Sequence, residues 1–144
     1  MNEKNGTHKE VTILLVDDDD IDAMGVQRAL SQLKIANQIV RARDGIEALE
    51  LLRTHGAVPR PCVILLDINM PRMNGIETLA ALRSDSALAS SVVFMLTTSQ
   101  DDQDKLASYA QHVAGYIVKR QAGNGFLRVM EMLDNYWRIV ELPN

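Results

Sequence analysis

Short, unbroken apolar runs alternating with amphipathic stretches most limit what this 144-residue chain can fold into. Residues 11–16, 62–66, 91–96 and 115–118 carry no charged side chain. A strand that is apolar on both sides of its pleat must be covered on both faces, as in a parallel sheet sandwiched by helices. Between these runs, residues 22–34 place Val26, Ala29, Leu30 and Leu33 on one helical stripe. Residues 38–43 set Ile39 and Val40 among polar neighbours, as an edge strand would. Asp44 with Glu47, and Asn74 with Glu77, have the cap spacing that opens a helix. The first such helix carries Ile46, Leu49 and Leu52, the second Leu79 and Leu82. A largely polar helix is expected over 99–112, and a final one carries Phe126, Met130, Leu133 and Trp137 on one face. Residues 1–10 read as a flexible tail before a domain spanning 11–144. Repeated strand–helix alternation implies right-handed crossovers and a doubly wound α/β sheet.

Composition removes several classes of function. A net charge of −4 disfavours direct binding to nucleic acid or to an anionic membrane. No apolar run approaches the length of a membrane span, and the polar start lacks a signal-peptide core, so a cytoplasmic location is expected. The single cysteine, Cys62, opens an apolar strand and reads as an inert core thiol.

Chemistry gathers where the strands end. Asp17 and Asp18 follow the first run and Asp67 the third, Thr97 closes the fourth, and Lys119 follows the fifth. In a parallel sheet, the carboxyl ends of the strands meet along one edge, where open α/β folds place their sites. Three carboxylates brought together there need positive charge between them, which a divalent metal and one lysine would provide. Acidic runs ordinarily cap helices, and Asp19, Asp20 and Asp22 are assigned to that role.

The segments Val16-Asp17-Asp18, Asp67-Ile68-Asn69-Met70-Pro71 with Gly75 downstream, Thr97, and Tyr116-Ile117-Val118-Lys119 resemble the receiver domain of two-component response regulators. The resemblance runs from about Val11 to the last helix. It implies the CheY-like, flavodoxin-type sheet of five parallel strands in the order 2-1-3-4-5. It also implies that Asp67 accepts a phosphoryl group from a sensor histidine kinase, a carboxylate being a competent phosphoryl nucleophile. Asp17, Asp18, Asp67 and the backbone carbonyl of Asn69 would hold Mg²⁺, with Mn²⁺ an alternative suited to hard oxygen ligands. Lys119 would pair with Asp67 and then with the phosphoryl group, and Thr97 would offer its hydroxyl to another phosphoryl oxygen. Movement of Thr97 would open space for Tyr116, a two-state element that changes the outer surface. That surface would act by contact with a downstream protein, with no output domain expected.

The pattern departs from the family at Arg120, where proline commonly follows the lysine, and at Thr98, where a smaller residue is usual. The apolar tail, with Tyr136-Trp137, Ile139-Val140 and Leu142-Pro143, is similar to that of single-domain regulators partnering bacterial phytochrome-type kinases. It suggests a homodimer through the face of the fourth and fifth helices and the tail. Two other readings stand beside this one. A degenerate receiver would bind partners without phosphorylation. A haloacid-dehalogenase-type phosphohydrolase would use Mg²⁺ and a strand-end aspartate, but position 69 holds asparagine where that family's second, acid–base aspartate stands.

Overall fold

The computed structural model describes residues 11–32, 37–97, 112–118, 131, 132 and 135. The expectations for residues 1–10, for Leu33 on the first helical stripe, for residues 99–111 of the polar helix expected over 99–112, and for Thr98, Lys119, Arg120 and the tail lie outside the described residues. His112, the expected last residue of that polar helix, is not helical and has φ 59°. Of the final helix only Glu131, Met132 and Asn135 are described, and all three are helical.

Five strands, β1 (Thr12–Val16), β2 (Ile39–Ala42), β3 (Cys62–Asp67), β4 (Val92–Thr97) and β5 (Gly115–Val118), form one parallel sheet. Their order is β2-β1-β3-β4-β5, as expected. Three helices intervene: α1 (Asp20–Gln32), α2 (Gly45–Arg53) and α3 (Gly75–Ser84). The central strands β1 and β3 are buried along their whole length, whereas β2 is half-buried and lies at the sheet edge. Their sequences therefore separate as their positions require: uniform apolar runs inside, a mixed one outside.

Alternate strand residues feed two cores, one on each face. Ile13, Leu15, Val63, Leu65, Phe94 and Leu96 meet the α1 stripe of Ala23, Val26, Ala29 and Leu30. On the other face Leu14, Val16, Ile64, Leu66, Val93 and Met95 meet Leu49 and Leu52 of α2 and Leu79 and Leu82 of α3. In α2 the buried line runs through Gly45, Ala48, Leu49 and Leu52, whereas Ile46 is half-buried. Cys62 is buried, and burial pushes its thiol pKa up, away from the reactive thiolate.

Helix starts follow the cap chemistry with two adjustments. At α3 the box is complete: Asn74 Oδ1 accepts from the Glu77 N–H at 2.8 Å, and Glu77 Oε1 accepts from the Asn74 N–H at 3.0 Å. At α2, Asp44 Oδ1 accepts from Glu47 N–H, but Glu47 Oε1 takes the N–H of Arg43 instead of that of Asp44. Helix α1 begins at Asp20, two residues before the stretch expected from the sequence. Its first turn is capped by Asp19, whose Oδ1 accepts from the N–H groups of Ile21 and Asp22.

Candidate functional site

The carboxyl ends of β1 and β3 lie side by side at the centre of the sheet, with Val16 opposite Leu66 in the register. Asp67 is the last residue of β3, and Asp17 and Asp18 directly follow β1. One carboxylate oxygen from each of Asp17, Asp18 and Asp67 falls within 4.8 Å of the others. Asp17 is fully buried and Asp67 nearly so, while Asp18 is half-buried. Adjacent parallel strands supply this convergence without any special loop geometry. The set is all carboxylate, with neither histidine nor cysteine, so it suits a hard dication such as Mg²⁺ or Mn²⁺ rather than zinc.

Hydrogen bonds fix the backbone around these carboxylates. The Asp17 N–H donates to Ala42 O of β2 at 3.0 Å, and Asp17 Oδ1 accepts the Asp19 N–H at 3.0 Å. The Asp17 carbonyl accepts twice from Arg41, from Nε at 3.2 Å and from Nη2 at 2.8 Å. On the β3 side the Ile68 N–H donates to Leu96 O, and the Gly75 N–H returns to Ile68 O at 2.8 Å, closing the base of loop 69–74. Asn69 is exposed in that loop. With Asp18, Met70, Pro71 and Asn74 it lines a shallow groove of about 370 Å³.

Thr97 ends β4 opposite Val118 of β5. Tyr116 lies two residues before Val118, opposite Met95, and packs half-buried against the α2–α3 core. The strands thus bring Asp17, Asp18 and Asp67 into one cluster and end β4 at Thr97 along the same edge.

A family model for the response regulator receiver domain matches residues 13–130. The chain belongs to the response regulator receiver family. Response regulator Rcp1 from Synechocystis is 35% identical over 135 residues, 91% of this chain and 92% of the relative. The crystal structure of the Mn²⁺-bound form of Rcp1 superposes with a TM-score of 0.80 at 33% identity, covering 93% of this chain and 99% of that one. The phosphorylated cyanobacterial phytochrome response regulator RcpA does so with 0.80 at 32% identity, covering 94% and 100%. No helix among the described residues of this receiver is long and apolar enough to cross a membrane.

Three further residues of this receiver frame the site and escaped the sequence reading. Arg41 spans from the Asp17 carbonyl to Asp20, whose carboxylate lies 2.7 Å from Arg41 Nη1 and 3.1 Å from Arg43 Nη1. These guanidinium hydrogen bonds, Arg41 first, hold the exposed Asp20 carboxyl below its ordinary pKa. Arg72 places Nε and Nη2 each 2.6 Å from Asp44 Oδ2. Arg41 and Arg72 lie 24 and 28 residues from these partners, beyond any helical or strand periodicity. The only advance signal was the residue type at a loop or edge.

Asp44 makes the receiver's stability sensitive to acid. Burial raises its pKa, but the Glu47 N–H and the Arg72 guanidinium outweigh burial and leave it below the ordinary 3.8. A carboxyl whose folded pKa lies below its unfolded value stabilises the fold above the unfolded pKa, and loses that contribution as pH falls through the folded one. Asp44→Ala is therefore expected to cost about 1 kcal/mol at neutral pH, the usual worth of an N-cap, and less in acid. Urea unfolding of both proteins at pH 7 and below pH 4 checks this. A gap that grows in acid would contradict it.

Proposed function

We propose that this receiver accepts a phosphoryl group on Asp67 from a sensor histidine kinase, with Mg²⁺ bound, and signals through altered protein–protein contacts. The observation that carries the reading is the clustering of Asp17, Asp18 and Asp67 at adjacent strand ends. In the transfer, an Asp67 carboxylate oxygen attacks phosphorus, an acyl phosphate bond forms, and the phosphorus–nitrogen bond to the kinase histidine breaks. Asp17, Asp18, Asp67 and the Asn69 carbonyl hold the dication, and Mn²⁺ can replace Mg²⁺. A bound dication supplies positive charge against the phosphoryl oxygens.

The chain's own residues do the rest. Asp17 and Asp18 keep the dication beside the nucleophile, and Lys119 places an ammonium on a phosphoryl oxygen. Thr97 offers a hydroxyl to another, and Tyr116, packed half-buried on β5, responds as the second position of the switch. The likeness to RcpA supports a phytochrome-type kinase as the donor. The output is contact with a downstream protein in the cytoplasm or with a second copy of the chain through the fourth- and fifth-helix face and the tail.

Incubation with acetyl phosphate and Mg²⁺, followed by intact mass and peptide mapping, tests the reading. One phosphoryl group should appear on Asp67, vanish with chelator, and be absent from Asp67→Asn. Steady phosphate release at enzymatic rates would point instead to a hydrolase. A protein that takes up Mg²⁺ but never gains the adduct would be the phosphorylation-independent binding module.

A further inference from the structure

Loop 69–74 carries the Asn69 carbonyl; Met70 and Met73 pack against the core, and the Met73 N–H donates to Pro71 O at 2.6 Å. The Gly75–Ile68 hydrogen bond and the Asn74 cap fix where it enters α3. Its exposed tip is held by another part of the chain, because Arg72 reaches across to Asp44, the N-cap of α2. The Met73 carbonyl makes a weaker contact with the same helix end, accepting from Gly45 N–H at 3.4 Å.

Two details argue that this contact shapes the loop rather than decorating it. Arg72 has φ 63°, a left-handed conformation that a long side chain rarely adopts unless its surroundings impose it. The Asp44 side chain is 8% exposed although that of Arg72 is 60% exposed, so the anchor is buried and fixed while the arm reaches in from solvent. Asp44 also follows β2, whose Arg41 grips the Asp17 carbonyl. Segment 41–44 therefore touches both loops that bear the proposed metal ligands, one through Arg41 and the other through Asp44.

We infer that Asp44 and Arg72 are positioning residues for the dication: their ion pair sets the separation between the Asn69 carbonyl and the Asp17–Asp18 pair. The inference rests on the proposed metal site. Outer partners of metal ligands act in this way because a dication such as Mg²⁺ tolerates little departure from its preferred ligand geometry.

Calorimetric titration with Mn²⁺ alone, well below the melting temperature of each protein, tests it. Arg72→Met and Asp44→Asn should each weaken binding about ten-fold, the lower range for loss of an outer partner. The double variant should be no weaker than the worse single one, since both remove the same pair. Arg72→Lys should recover part of the affinity. Arg72→Gly relieves the unusual φ while deleting the guanidinium, and should match Arg72→Met. Wild-type affinity in Arg72→Gly and Arg72→Met, or additive losses in the double variant, would overturn the inference while leaving the metal site standing. If the wild-type protein takes up no Mn²⁺, the metal reading and this inference fall together. Should Asp44→Asn fail to fold, the Arg72 variants still decide, because that side chain is mostly exposed.

Discussion

Asp18→Asn is expected to move two measurements in opposite directions: dication affinity falls by about a hundred-fold or more, and metal-free melting temperature rises by about 6 °C. The affinity loss follows from removing a charged ligand, which should cost at least as much as the about 10–100-fold typical of outer partners. The stability gain follows from the same charge. Three carboxylates within 4.8 Å of one another repel, and each such pair is worth about 1 kcal/mol even with the full screening of water. Asp18 takes part in two of the three pairs, and relief of about 2 kcal/mol shifts the melting point of a domain this large by about 6 °C. Asp18 is the informative position because it is the half-buried member of the cluster, so an amide there can reach water. In saturating Mg²⁺ the order should reverse, with the wild-type protein melting higher, because it gains more binding energy than the variant. Scanning calorimetry with chelator and with Mg²⁺ gives both signs in one experiment. A variant that melts lower than wild type under both conditions would mean that Asp18 has a structural role and no part in holding charge.

What the sequence disclosed and what it withheld divide along physical lines. The sheet was legible because a strand buried on both faces leaves no room for charge along its length: residues 12–16 and 62–66 carry none, and aspartates stand directly after them. Asn74 and Glu77 were legible because a capping box is local. The start of α1 was less so, since four consecutive aspartates hide which one caps, and Asp19 proved to do it. Ile46 was read with Leu49 and Leu52 as the apolar face of α2 but is only half-buried, while Gly45 is buried where a Cβ would meet Thr78 of α3 and Met73. The clustering of Asp17, Asp18 and Asp67 followed from adjacency of β1 and β3. The arginine contacts did not, because Arg41 and Arg72 meet partners that only the completed fold brings near. Their types are compatible with any solvated loop.

The second large effect concerns Gly75, where sequence and site are joined by lack of space. Gly75→Ala is expected to cost about 2–3 kcal/mol in stability, the upper range for forcing one extra methyl into a filled site. A Cβ there would collide with the backbone carbonyl oxygen of Asp67 and come within 2.8 Å of Ile68 Cα. Neither obstacle is a side chain that could rotate away. Either α3 retreats, breaking the Gly75–Ile68 hydrogen bond and the Asn74 cap, or the end of β3 shifts and carries the Asp67 carboxylate with it. Both routes disturb the cluster, so phosphoryl uptake from acetyl phosphate should fall together with stability. Gly25→Ala is the matched control. That glycine lies exposed in the middle of α1, and an added methyl group would meet nothing within 4 Å. The same substitution there should stabilise by about 1 kcal/mol through helix propensity and leave phosphoryl uptake unchanged. Urea unfolding read beside adduct yield separates the cases. If Gly75→Ala were as stable as wild type and equally phosphorylated, close approach of α3 to Asp67 could not be what demands glycine there.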